Sequence, residues 1–490
     1  MKTPILGSTY VTRSVNAADA RMVNLFPEII PEGGKEPAFL QRAPGLNFLQ
    51  TVGVGPIRGV WAFSNDATVA FVVSGTELYQ IDKAYVATKR GNVSGTGPVS
   101  MADNGATLFI ACNGPSYTYF NLPGNPLNGD FRQITDPAFE GALTVAYLDG
   151  YFVFNAPNSQ RVYVVQSLTT TGYIYPLVFD ALDYASAEGS PDGLIGLIVD
   201  HREAWLFGTN SVEVWYNTGA ADFPLQRIQG AFNEIGCISP YSIAKLDNGV
   251  FWLGADARGR GIVYRANGYT GARVSTHAVE WQIQQYADMS DAIAYTYQQD
   301  GHAFYVLIFP SANTTWVYDV STQAWHERAG FTNGSFTRHR SNCQMSFNNE
   351  IIVGDFESGN IYSFDLDVYA DNGQIQKWLR TWRALPTGQN NLKRTAQHSL
   401  QLDCESGVGL NLGQGSDPEV MLRWSDDGGH TWSNEHWATI GKIGQFYRRV
   451  FWRRLGMTLK LRDRVYELSM TDPVKIAIVG AELIVSPTNA

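Results

Sequence analysis

Apolar residues along this chain fall into short runs separated by polar or glycine turns, and the runs come in pairs. Val69–Ile81 reads as an apolar strand, VAFVVSG, a turn, and a second strand, TELYQI. The same order of apolar strand, turn and aromatic strand returns at Thr107–Phe120, Tyr151–Val165, Ala204–Tyr216, Val250–Tyr264, His302–Tyr318 and Glu350–Phe364. Successive starts lie 38 to 53 residues apart, the repeat length of propeller blades. A lone hairpin cannot bury both its faces, whereas four-stranded blades set radially bury theirs against one another. The seven units therefore predict an all-β fold built on a β-propeller of six or seven blades. A β-helix would need shorter, more regular repeats, and a sandwich of this length would be split.

The sixth unit is the most explicit. Trp316-Val-Tyr-Asp-Val-Ser-Thr-Gln-Ala-Trp325 looks like a kelch-type strand pair. Asp319, Ser321 and Thr322 can hydrogen-bond the turn, and Tyr318 and Trp325 can pack between blades. Helix is expected only at Thr276–Tyr286, where Val279, Ile283 and Tyr286 share a face. The proline-rich stretch from Phe26 to Gly45 reads as extended chain. Near Asp371 the pattern changes to alternating strands such as Ser399–Asp403, Val420–Trp424 and Ala477–Ala481, the pattern of a sandwich solvated on one side. The expected division is an extended N-terminal segment over 1–54, a propeller over 55–371 and a basic β-sandwich over 372–490, with the N-terminal segment packing back on the sandwich.

Composition sharpens this picture. Charged residues make up 17% and aromatics 13%, with 48 glycines. Few charges and many aromatics exclude coiled coils and long solvated helices. The formal net charge of −10 excludes a generic nucleic-acid binder over the whole chain. Met1–Val11 has neither the apolar core nor the cleavage site of a signal peptide, and the longest apolar runs are too short to span a bilayer, so a soluble protein made in a cytosol is expected. Cys112, Cys237, Cys343 and Cys404 lie far apart and read as reduced thiols serving as small apolar residues.

The sharpest short motif is an Asp box, Ser425-Asp-Asp-Gly-Gly-His-Thr-Trp432. Asp427 can accept from turn amides, Gly429 can take a positive φ, Ser425 and Thr431 can tie the turn, and Trp432 can anchor the hairpin in a core. Sialidases carry such boxes, which makes a glycan-binding or glycan-cleaving propeller the rival reading. The box is a turn device remote from chemistry, however, and it occurs once, outside the repeated hairpins. No nucleophile elbow, Walker loop or zinc-helix motif is present, and the eight histidines lack ligand spacing. Asp200-His-Arg-Glu203 reads as a turn between blade strands. Asp365-Leu-Asp367 lacks the glycine and terminal glutamate of a calcium loop. The chain therefore reads as a non-enzyme without cofactor or metal.

Basic residues thicken from Lys377 onward: Arg380, Arg383, Lys393 and Arg394, then Lys460, Arg462 and Arg464. They culminate in Phe446-Tyr-Arg-Arg-Val-Phe-Trp-Arg-Arg-Leu455, read as one strand. Alternation would put Arg449 and Arg453 on one face and Arg448 and Arg454 on the other. With Tyr447 and Trp452, these arginines suit a protein interface, phosphate contacts in a DNA channel, or a solvated sandwich edge.

This stretch, continued to Gly456, is one of three that resemble the packaged-DNA stabilisation, or tail hub (nozzle-type accessory), proteins of short-tailed phages. The others are Arg42-Ala-Pro-Gly45, and Ser190-Pro-Asp-Gly-Leu-Ile-Gly-Leu197 followed by Leu206–Tyr216. The order and spacing of the three look similar across nearly the whole chain. The resemblance implies a structural virion protein that assembles in the host cytoplasm after DNA packaging. It implies a six-fold homo-oligomeric ring below the portal and adaptor, closing the DNA exit channel and docking a tail needle and tailspikes or fibres. It assigns no role to the Asp box.

Overall fold

The computed structural model describes residues 1–488 apart from 15–17, 188, 191, 257–258, 387, 390–392 and 460–462. Pro191, Lys460 and Arg462, noted above, lie outside the described residues. The described residues are all-β, with one short α-helix, His277–Gln284, capped by the Thr276 side chain accepting from the Val279 amide. No helix among the described residues is long and apolar enough to cross a membrane.

Seven sheets radiate from one axis. Their inner strands are Ile57–Ala62, Ser100–Asp103, Val145–Leu148, Leu194–Asp200, Ala244–Leu246, Ile293–Gln299 and Ser341–Phe347. Each is followed by the hairpin read from the sequence, which supplies the second and third strands of its blade. The second strands are buried on both faces, as in His302–Phe309, where all eight residues are buried. An apolar cluster fills each junction between adjacent blades. Tyr318 and Trp325 lie in the cluster between blades five and six. Asp319 accepts from the Ser321 amide at 3.0 Å and from the Thr322 hydroxyl at 2.6 Å, locking the turn between them.

The ring closes through the N-terminal segment. The outer strand of blade seven is Gly45–Thr51, antiparallel to Asn360–Asp365, with Leu46 opposite Phe364. Chain from the start of the sequence thus completes the last blade. Leu46 and Phe26 both enter the cluster between blades six and seven.

The C-terminal part is a two-sheet sandwich. One sheet runs Val450–Arg453, Thr395–Cys404, Ala477–Pro487, Ala38–Arg42 and Leu25–Ile29, with Lys2–Thr3 also on Ala477–Pro487. The other runs Met22–Val23, Trp378–Arg383, Val465–Met470, Glu419–Ser425 and His436–Thr439. Trp378, Trp382, Leu400, Leu422, Trp452 and Leu483 are among the residues of the core between them. Met22–Val23 also pairs with Ala324–Glu327, so the second sheet is continuous with blade six.

The Arg42-Ala-Pro-Gly45 stretch sits where the two units meet. The buried Arg42 guanidinium donates to the Asp472 carbonyl at 2.7 Å, the Val474 carbonyl at 2.9 Å and Gln376 Oε1 at 3.1 Å. Three residues on, a Cβ at Gly45 would lie 2.4 Å from the Val368 carbonyl oxygen, so only glycine lets the chain pass there into blade seven.

A candidate interaction surface on the sandwich edge

The arginine-rich stretch forms a much shorter strand than its sequence suggests. Only Val450–Arg453 is extended and paired, with Ser399–Leu402. It is the edge strand of its sheet, so its outer backbone is unpaired, a position where charged side chains discourage uncontrolled strand addition. Val450 and Trp452 point into the sandwich core. Trp452 is 5% exposed, and its indole N–H donates to the His436 carbonyl at 2.8 Å. The expectation of Trp452 as a contact residue is therefore corrected: a large aromatic at an inward strand position packs in the core.

The arginines are not divided between two faces either. Arg448 precedes the strand, and Arg454 ends it in a left-handed conformation at φ 59°. All four arginines consequently lie in solvent. Arg449 donates to Gln401 Oε1 at 2.7 Å, and the Arg453 guanidinium lies 4.3 Å from the Phe451 ring centroid. None of the four makes an ion pair among the described residues. Beside them Phe446 is 76% exposed and Tyr447 84%. The turn carrying Phe446 is held by the Ser406 hydroxyl, which donates to the Phe446 carbonyl at 2.9 Å. Trp437, on the edge strand of the opposite sheet, is 55% exposed. Basic and large apolar side chains thus share one margin of the sandwich.

The Asp box joins Glu419–Ser425 to His436–Thr439. Asp427 Oδ1 accepts from the His430 amide at 3.0 Å and the Thr431 amide at 2.9 Å, while its Oδ2 accepts from the Thr431 hydroxyl at 2.6 Å. These bonds, with the hydroxyl first among them, hold its carboxyl well below the usual carboxylate range. Ser425 Oγ accepts from the Gly429 amide at 2.8 Å, and Gly429 takes φ +97°. Trp432 is half-buried with the Arg423 guanidinium 4.9 Å from its ring centroid, instead of seated in a core. The other aspartate of the motif is used differently. Asp426 forms a bidentate pair with the buried Arg464, at 2.7 and 2.8 Å. Sequence reading missed that partnership, because nothing local connects residues 38 apart.

At the propeller axis lies a cavity of about 500 Å³ lined by the inner strands of all seven blades. Asp103 is the sole carboxylate among its lining residues. It is already engaged, accepting from the Trp61 indole at 2.7 Å and from the Ser64 hydroxyl.

Comparison with known proteins decides the family. Residues 1–369 match the family model described as bacteriophage P22 Gp10, beta-propeller, and residues 377–486 match bacteriophage P22 Gp10, beta-sandwich. The chain belongs to the bacteriophage P22 Gp10 family. It is a structural protein of the phage tail hub and DNA-stabilisation type. No curated protein matches the sequence. Among solved structures, a putative 6-phosphogluconolactonase from Bacteroides fragilis aligns over 65% of this chain and 96% of its own, at 10% identity and TM-score 0.41. YCF48 from Cyanidioschyzon merolae aligns over 66% and 98%, at 13% identity and TM-score 0.40. The beta-propeller domain of Swd1 from Myceliophteria thermophila aligns over 65% and 99%, at 9% identity and TM-score 0.38. At such scores these likenesses carry no functional argument. The Gp10 match, which extends through both units, does.

Proposed function

We propose that this Gp10-family protein forms a six-fold ring in the virion tail, below the portal and adaptor. There it helps close the DNA exit channel and offers docking sites for a tail needle and for tailspikes or fibres. The observation that carries this reading is the family match over both propeller and sandwich. The architecture supports it physically: a closed propeller with an apolar cluster packed at every blade junction is a rigid scaffold, and the sandwich margin presents arginines and aromatics of the kind enriched at protein interfaces. Residues 372–490 act in this reading as the platform through which copies meet. Tyr447, Arg448, Arg449, Arg453 and Arg454 serve as protein contacts rather than as phosphate contacts, because exposed Phe446, Tyr447 and Trp437 accompany them. Ser425, Asp427, Gly429, Thr431 and Trp432 shape a turn.

Glycan cleavage fits less well. Hydrolysis of a glycosidic bond ordinarily uses two carboxylates flanking it, whereas the axial cavity offers Asp103 with both its oxygens engaged. The test is the mass of the purified chain by light scattering, alone and with a portal–adaptor assembly. A six-copy ring on the assembly is expected. A chain that stays monomeric and ignores the assembly would overturn the hub reading.

A further inference from the structure

The basic edge has a counterpart elsewhere in the same chain. Residues 377–486 carry 15 Lys and Arg against 11 Asp and Glu, whereas residues 1–369 carry 21 against 34. The propeller is strongly acidic and the sandwich basic. Within the propeller, the connection between the third and fourth strands of blade three stands out. Between Gln166 and Tyr184 it runs for 17 residues, against five at the same place in blade one and seven in blade four.

This connection is a built surface rather than a loose loop. Tyr175 stacks on Phe120 with ring centroids 4.4 Å apart, and its hydroxyl donates to Asp130 Oδ2 at 2.7 Å. Leu177 and Phe179 pack into the cluster between blades two and three. With those two residues turned inward, their neighbours turn outward: Val178 is 74% exposed and Leu182 79%. Asp180, which caps its own turn by accepting from the Leu182 amide at 2.9 Å, is exposed beside them. Neither Asp180 nor Asp183 is ion-paired among the described residues. The result is a small, rigid, apolar and acidic knob on the propeller. The sandwich edge is its complement: an apolar patch of Phe446 and Tyr447 rimmed by four arginines that have no ion pair among the described residues.

We propose that neighbouring copies of this chain join head to tail. The Val178–Asp183 knob of one copy seats against the Phe446–Arg454 edge of the next. The proposal rests on the ring reading above and names its contact. Two different patches of one molecule that complement each other make a heterologous interface, the kind that closes into rings when the rotation allows. Complementary charge sets orientation and on-rate, and the exposed apolar side chains at the centre supply buried area.

The test is charge exchange in the full-length chain, followed by sedimentation over a range of concentrations. One variant carries Arg448→Glu and Arg453→Glu, the other Asp180→Arg and Asp183→Arg. Arg448, Arg453 and Asp180 are exposed and Asp183 half-buried, so circular dichroism should stay as in the wild type, with Tm lowered only slightly where Asp180 loses its turn bond. Each variant alone is expected to need at least tenfold higher concentration to associate. An equimolar mixture should recover association, because every interface between unlike variants regains one acidic and one basic side. Association indifferent to both reversals, or a mixture that does not recover, overturns the contact while leaving the ring reading in place. A wild type that stays monomeric at every concentration overturns the contact; if it also ignores the portal–adaptor assembly, the ring reading falls with it.

Discussion

Two adjacent aspartates in the Asp box show how differently neighbours can be used. Asp426 and Arg464 form a buried bidentate pair, their side chains 9% and 1% exposed, and Arg464 also donates to the Leu455 carbonyl at 2.6 Å. Removing one partner strands a buried charge, which typically costs about 3–5 kcal/mol. Asp426→Ala should therefore lower the urea midpoint sharply, whereas Asp427→Ala, at an exposed turn, should barely move it. Equal effects would mean that the motif acts as one unit. The buried histidines make a second residue-scale case. Burial holds His326 well below its ordinary value, with repulsion from Arg328 and His302 adding to it, and neither ring nitrogen has a hydrogen-bond partner among the described residues. Burial likewise lowers His339 to about 3. Below pH of about 6.5 the unfolded chain protonates both while the fold does not, so each removes up to about 1.4 kcal/mol of stability per pH unit on acidification. Asp371, raised by burial to about 7, acts the opposite way: the fold binds its proton first, which adds stability as pH falls from about 7 towards 4. His326 carries its own share of that acid lability. His326→Leu should remove it, so that its Tm falls less between pH 7.5 and 5 than the wild type's. Parallel losses would show that His326 is not the group responsible.

At the scale of elements, what could be read from the sequence follows from burial. The seven hairpins were legible because the second strand of each blade is covered on both faces and spells an apolar run, while the third carries aromatic residues. Inner strands were harder: Ile293–Gln299 and Ser341–Phe347 line the axial cavity and mix polar with apolar residues. The closing strand was illegible for a topological reason. Gly45–Thr51 follows a proline-rich stretch and pairs with a strand more than 300 residues away, and no local pattern announces such a partner. The arginine-rich stretch misled because turn residues flank a four-residue strand, so a two-residue period was applied beyond its extent. The closing strand makes a testable claim. Leu46 is 1% exposed within the cluster between blades six and seven, and a Leu→Ala change at such a site costs about 2–5 kcal/mol. Leu46→Ala should shift the urea midpoint accordingly, while Asn47→Ala, its exposed neighbour, should leave it in place. A negligible effect at Leu46 would mean that the propeller holds together without its clasp.

Across the whole molecule, the N-terminal segment makes propeller and sandwich interdependent. Its first strand, Lys2–Thr3, lies on Ala477–Pro487, and Thr3 Oγ accepts from the buried Trp382 indole at 2.7 Å. Met22–Val23 bridges the sandwich to blade six, Leu25–Ile29 and Ala38–Arg42 extend the other sandwich sheet, and Gly45–Thr51 closes blade seven. One short segment therefore contributes to both sandwich sheets and to the propeller. If either unit unfolded alone, the segment would lose partners on that side; were it the sandwich, Arg42, whose donors are spent on Gln376, Asp472 and Val474, would lose its acceptors in the same step. Separate melting would thus expose apolar surface and unsatisfied polar groups in the surviving unit, a cost that couples the two transitions. Calorimetry of the full chain should show one endotherm. Two well-separated endotherms would mean that the segment ties the units together only in geometry. Arg42→Ala discriminates further, because it removes the ties of the segment to Gln376, Asp472 and Val474 and leaves the blade strands untouched: the single endotherm should split, with the sandwich melting first, since it has the smaller core and relies on borrowed strands in both its sheets.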